Sequence, residues 1–156
     1  MSRHTQHAVH PEPELQRGRM ECVFLTCFRS EFSVLATTLH YSGVRVLRAG
    51  SLDEADFLLT VTGATALLSD VTFLDGDWRD AMRMLAQLHP LVPFLIVADP
   101  VDSPYLEDAY ARGACGVLWK PFDFTLVIQM IRTVGQAARE RAIWVEEAYV
   151  AEPSLR

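Results

Sequence analysis

The sequence predicts an α/β fold of the flavodoxin-like (βα)5 kind. It is a doubly wound parallel sheet in strand order 2-1-3-4-5, ending in an extended C-terminal helix. Three observations predict it. Short apolar runs alternate with amphipathic stretches five times along the chain. The connections are short and carry helix caps and stops, which implies a parallel sheet covered on both faces. Right-handed crossovers leave few topologies, and 2-1-3-4-5 is the common one at this size.

The elements follow in order. Residues 21–27 (ECVFLTC) form a short apolar run and read as strand 1. Residues 30–43 have helical spacing at Phe32, Leu35 and Leu39, with Ser30 as the expected N-cap and Gly43 as the stop. Residues 44–49 (VRVLRA) alternate, as near a sheet edge. Ser51 opens a capping box with Glu54, and a helix follows to about Gly63. Residues 64–69 are strand 3, residues 70–76 a loop, and Asp77 begins a helix that Pro90 ends. Residues 93–98 (PFLIVA) are the most apolar strand and read as the sheet centre. Ser103-Pro104 is an N-cap followed by Pro in the first helical position, and that fourth helix stops at Gly113. Residues 115–119 are strand 5, and Asp123 caps the last helix.

Composition excludes several function classes. Fourteen Lys+Arg face 20 Asp+Glu, a net charge of −6, which lacks the basic footprint of a nucleic-acid binder. Three cysteines without a CxxC pair argue against a disulfide framework or zinc knuckle and suit a reducing cytoplasm. The longest apolar stretch, residues 91–98, falls far short of the ~20 residues of a membrane span. Thirteen of the basic residues are Arg and one is Lys, at position 120. A codon bias toward Arg explains the thirteen; it leaves Lys120 as a position where a compact point charge is wanted.

In an open α/β sheet, ligands meet the carboxyl ends of the strands. Strand 1 delivers Thr26 and Cys27 there, strand 3 Asp70, strand 4 Ala98 and Asp99, and strand 5 Lys120. One carboxylate and the one ammonium therefore share a crevice. The run GACGVLWKPF (113–122) and the run LLSDVTFLDG (67–76) lie on the expected strands at matching spacing. On these two motifs the chain, over roughly residues 21–135, resembles a response-regulator receiver domain of the CheY-like kind. The resemblance implies that Asp70 accepts a phosphoryl group from a histidine kinase and that Lys120 contacts the phosphoryl oxygens.

The departures from that pattern are equally specific. The acidic pair that ends strand 1 in receivers is here Thr26 and Cys27, and neither is a carboxylate. Mg²⁺ takes hard oxygen ligands and usually needs one or two carboxylates, so no metal cofactor is expected. A runner-up reading keeps weak Mg²⁺ at Asp70 with help from Asp75 or Asp77. The hydroxyl residue that ends strand 4 is Ala98, the switch aromatic is Val117, and the loop proline is Leu74. The chain thus reads as an atypical receiver with weakened or lost phosphoryl acceptance.

Blander readings stand beside each feature. Asp70 and Lys120 would also persist as a buried ion pair, since removing one partner strands the other. Cys27 near a cation would be redox-responsive, against the preferred reading of a small buried filler. Asp99-Pro100 is an ordinary turn, Trp78 and Trp119 are packing, and Glu107 and Asp108 lie on a solvated face. His4, His7 and His10 belong to a solvated tail rather than a metal site. A small flavodoxin-like enzyme or nucleotide binder is disfavoured because no Gly-rich loop follows strand 1.

The expected division is a disordered tail at 1–20, a receiver-like domain at 21–135, and a helical extension at 136–156. In the extension, Val134, Ala138, Arg141, Val145 and Ala148 keep helical spacing, with Ile143, Trp144 and Tyr149 adding apolar surface. That stripe suggests a homodimer or partner contact. Too few residues follow the expected receiver end for an output domain, so the expected partners are a histidine kinase or another signalling protein. Neither nucleic acid nor membrane is expected as a partner.

Overall fold

Strict alternation along the strands decides how the sheet is covered. In β1 (Met20–Leu25), Cys22 and Phe24 point to one face while Val23 and Leu25 point to the other. The computed structural model describes the backbone of residues 20–151. Within the last helix it describes side chains through Arg141 and that of Ile143. The tail with His4, His7 and His10, and the side chains of Trp144, Val145, Ala148 and Tyr149, lie outside the described residues.

Five parallel strands, β1, β2 (Val44–Ala49), β3 (Ala66–Asp70), β4 (Phe94–Ala98) and β5 (Gly116–Trp119), lie in the order 2-1-3-4-5. One face is covered by α1 (Arg29–His40) and α4 (Phe124–Ala151), through Leu35, Leu39, Val127 and Ile131. The other is covered by α2 (Leu52–Val61) and α3 (Trp78–Leu88), through Ala55, Leu59, Ala81 and Leu85. A short hairpin, Thr72–Phe73 with Gly76–Asp77, joins β3 to α3.

Several expectations change in detail. Met20 pairs with Val44, so strand 1 starts one residue earlier than expected. The middle strand is Ala66–Asp70, and Phe94–Ala98 lies one place off centre. Both are buried along their whole length because each has strands on both sides and helices on both faces. Ser30 is not the N-cap of α1. The helix begins at Arg29 behind Phe28, whose side chain makes no capping bond, and Ser30 lies exposed in the first turn.

The Ser51 hydroxyl accepts from Glu54 N–H at 3.2 Å, as expected, while the Glu54 carboxylate accepts from Gly50 N–H at 2.9 Å. The return arm therefore reaches one residue further back than in a capping box. Asp77 caps α3 in a full capping box with Asp80.

The fourth helix is not an α-helix. Pro100–Leu106 forms a 3₁₀ turn run, capped by Asp99 rather than Ser103, and turns carry the chain on to Gly113. Pro104 sits inside it and has no N–H to donate, which removes an α-helical bond where one is needed. Asp123 caps α4 through Thr125 N–H and Leu126 N–H. The helix runs unbroken across residue 135, and Ala138 is still buried.

Candidate crevice at the carboxyl ends of the strands

Asp70 ends the central strand and is 4% exposed. Its Oδ2 accepts from the Thr26 hydroxyl at 2.5 Å. Its Oδ1 is buried without a hydrogen-bond partner among the described residues. Burial pushes the Asp70 carboxyl up to about 6. The Thr26 hydrogen bond and the Lys120 charge oppose that rise, and the charges of Glu31 and Asp99 add to it.

Thr26 is fully buried just past β1, where its backbone N–H donates to Ala49 at 2.9 Å. Its hydroxyl also accepts from Phe28 N–H at 3.1 Å. A position that departs from the receiver pattern therefore supplies the hydrogen bond that the Asp70 carboxyl receives among the described residues.

Lys120 follows β5 directly, and its N–H donates to Ala98 C=O at 2.9 Å. It reaches the crevice but does not pair with Asp70, which corrects the ion-pair reading. Its Nζ donates to both carboxylate oxygens of Glu31, each at 2.8 Å, and lies 4.0 Å from Asp99 Oδ2. The reason is geometric: Glu31, in the first turn of α1, presents two open oxygens, whereas Asp70 is sunk at the strand end with one oxygen bonded to Thr26. Burial pulls the Lys120 ammonium down, but the Glu31 carboxylate, with Asp70 and Asp99, more than offsets this and holds it above the usual lysine range.

Glu31 was missed in the sequence. The signal was present: an acid in the first turn after strand 1 necessarily stands at the carboxyl end of the sheet.

The other marked positions fall as follows. Cys27 is exposed, which overturns the buried-filler reading; the cysteine that burial does claim is Cys22, whose thiol burial, then the Glu21 charge, pushes up to about 12. Ala98 and Val117 are buried in the sheet. Asp75 does not join Asp70, because both its oxygens accept from Leu52 N–H at the start of α2. Asp77 is committed to its cap. Trp78 is packed, with the Arg79 guanidinium 4.5 Å from its ring centroid, while Trp119 is exposed, against the packing expectation. Asp108 is not simply solvated: it accepts from Arg112 at 2.5 Å and from Arg79 at 3.4 Å. Among the described residues, no three His, Cys, Asp or Glu side chains converge as a metal cluster.

The fold matches solved structures. A response regulator receiver domain protein from Clostridium thermocellum superposes with TM-score 0.70 at 17% identity, covering 80% of this chain and 98% of that one. A response regulator receiver protein from Pseudomonas putida gives TM-score 0.66 at 16% identity, covering 74% and 97%. The fold is that of a receiver domain.

No family model matches the chain. In sequence, 98 residues of the chain are 29% identical to the DNA-binding transcriptional regulator NtrC of Klebsiella pneumoniae. That match takes in 63% of this chain and 21% of the regulator, so the chain spans about a fifth of the length of the curated relatives it matches. No helix among the described residues is long and apolar enough to cross a membrane.

Proposed function

We propose that this chain works as a receiver module in two-component signalling, with phosphoryl acceptance at Asp70 weakened or lost and with output through protein contact rather than catalysis. The observation that carries the proposal is the state of the acceptor carboxyl. The Asp70 carboxyl is buried and, among the described residues, hydrogen-bonds a threonine hydroxyl and forms no ion pair with an ammonium. The residues present do not fit Mg²⁺: positions 26 and 27 offer a hydroxyl and a thiol, Asp75 and Asp77 are engaged at helix starts, and Glu31 is taken by Lys120. Charge building on a transferring phosphoryl group would find little to neutralise it. By likeness to receivers, the contact face is the 3₁₀ segment, β5 and the start of α4. Tyr105, Trp119 and Leu126 are exposed there, and Tyr110 is exposed in the turns that follow the 3₁₀ segment. The partners would be a histidine kinase or another signalling protein, and a second copy along the end of α4, in the cytoplasm and without nucleic acid.

The test is intact mass after incubation with acetyl phosphate, with and without Mg²⁺. The expected result is no stoichiometric adduct. A stoichiometric, Mg²⁺-dependent adduct that disappears in Asp70→Asn would establish the runner-up, a competent acceptor.

A further inference from the structure

The ammonium expected to serve Asp70 is already held by another carboxylate, and that contact has a consequence for the whole crevice. We propose that Glu31 is a positioning residue that holds Lys120 away from Asp70, so that the acceptor carboxyl is left without a cation of its own. The inference rests on the receiver reading for the roles of Asp70 and Lys120, and adds the element that sets their separation.

Four observations carry it. The Nζ of Lys120 is shared evenly between the two Glu31 oxygens, at 2.8 Å each, the geometry of strong charge-assisted hydrogen bonds. The two residues are 89 apart in sequence, so the bond ties the end of β5 to the start of α1. Both side chains are largely withdrawn from water, 18% and 32% exposed, where such a pair is less screened than on an open surface. And Asp70 Oδ1 stays unpartnered although an ammonium lies in the same crevice. The start of a helix also favours the negative charge that Glu31 places there. Among the described residues, the groups that bear on the Asp70 carboxyl are the Thr26 hydroxyl after β1, Glu31 from α1, Asp99 after β4, and Lys120 after β5.

If Glu31 merely added its field, Lys120 would act on Asp70 equally well with or without it. If Glu31 holds Lys120, removing the carboxylate lets the ammonium approach. The experiment is a two-by-two comparison of Glu31→Gln and Lys120→Met, reading the Asp70 carboxyl carbon by NMR across pH. In the presence of Glu31, Lys120→Met is expected to raise the Asp70 midpoint, but by less than it does in the Glu31→Gln background. In Glu31→Gln the midpoint falls by about 1–3 pH units, the effect of a close opposite charge on a carboxyl, and adding Lys120→Met reverses most of that fall. An equal effect of Lys120→Met in both backgrounds overturns the proposal.

A second reading follows the Lys120 ammonium nitrogen as Asp70 titrates: its response should be smaller in the unaltered chain than in Glu31→Gln, and an equal response in both contradicts the proposal. The adduct mass tests the receiver reading and these titrations test Glu31, so either can fail alone.

Discussion

A carboxyl pushed up by burial makes the native state depend on pH in an unusual direction. The Asp70 midpoint of about 6 in the fold lies above its ordinary value of 3.8. Between those values the folded chain keeps a proton that the unfolded chain has released, so stability falls as pH rises through that window. The contribution lost by pH 7 is on the order of 2–3 kcal/mol. Asp70→Asn keeps an oxygen for the Thr26 hydroxyl and carries no charge. Its stability relative to the unaltered chain, from urea unfolding, should therefore rise between about pH 4 and 6 and then level off. A pH-independent difference would mean that Asp70 is not desolvated. At this scale the sequence was legible for position and not for partnership. Strand ends placed Asp70, Thr26 and Lys120 correctly, because period and topology determine them. That Lys120 bonds Glu31 rather than Asp70 depends on which carboxylate oxygens stay open in the fold, which no spacing encodes.

Among the elements, those whose boundaries rest on backbone chemistry were read well. Gly43 stops α1 at φ +78°, with nothing within 4 Å of where a Cβ would stand. Gly43→Ala should thus cost only the left-handed penalty, about 1–2 kcal/mol in chemical denaturation. Capping residues separate more sharply. Ser51→Ala removes a bond to Glu54 N–H and should cost about 1 kcal/mol. Ser30→Ala removes no cap and should stay within about 0.5 kcal/mol. Equal losses at the two serines would contradict the assigned start of α1. Ser30 misled because cap preference is local, whereas Phe28 N–H is already engaged by the Thr26 hydroxyl, which fixes the chain as it leaves β1. The segment after β4 misled for a different reason. Pro104 suits a first helical position in the text, but Asp99 and Asp102 close a capping box earlier and leave the proline inside a 3₁₀ run.

Across the whole molecule, two apolar layers on opposite faces of one sheet follow from strand alternation, and that is why the architecture was legible from sequence. The order 2-1-3-4-5 puts β3 at the centre, which brings Asp70 to the middle of the carboxyl edge. The most apolar strand was a poor guide to the centre, because β3 and β4 are equally enclosed. The helix α4 has 28 residues, a length of ~42 Å at 1.5 Å per residue, and its packed part reaches Ala138. Ile143 beyond it is exposed. If that end pairs with a second copy, light scattering should give twice the chain mass for the full chain and the single mass for a chain ending at Ala138. The same mass for both would remove the proposal that the end of α4 pairs with a second copy.

The signalling proposal turns on one carboxyl without a cation of its own. The most direct measurement is the pH titration of the Asp70 carboxyl carbon in the unaltered chain, with Asp70→Asn to assign the resonance. The expected midpoint is about 6, set first by burial and left high because Lys120 is held by Glu31. A midpoint at or below the ordinary 3.8 would show an ammonium against Asp70 and contradict the account.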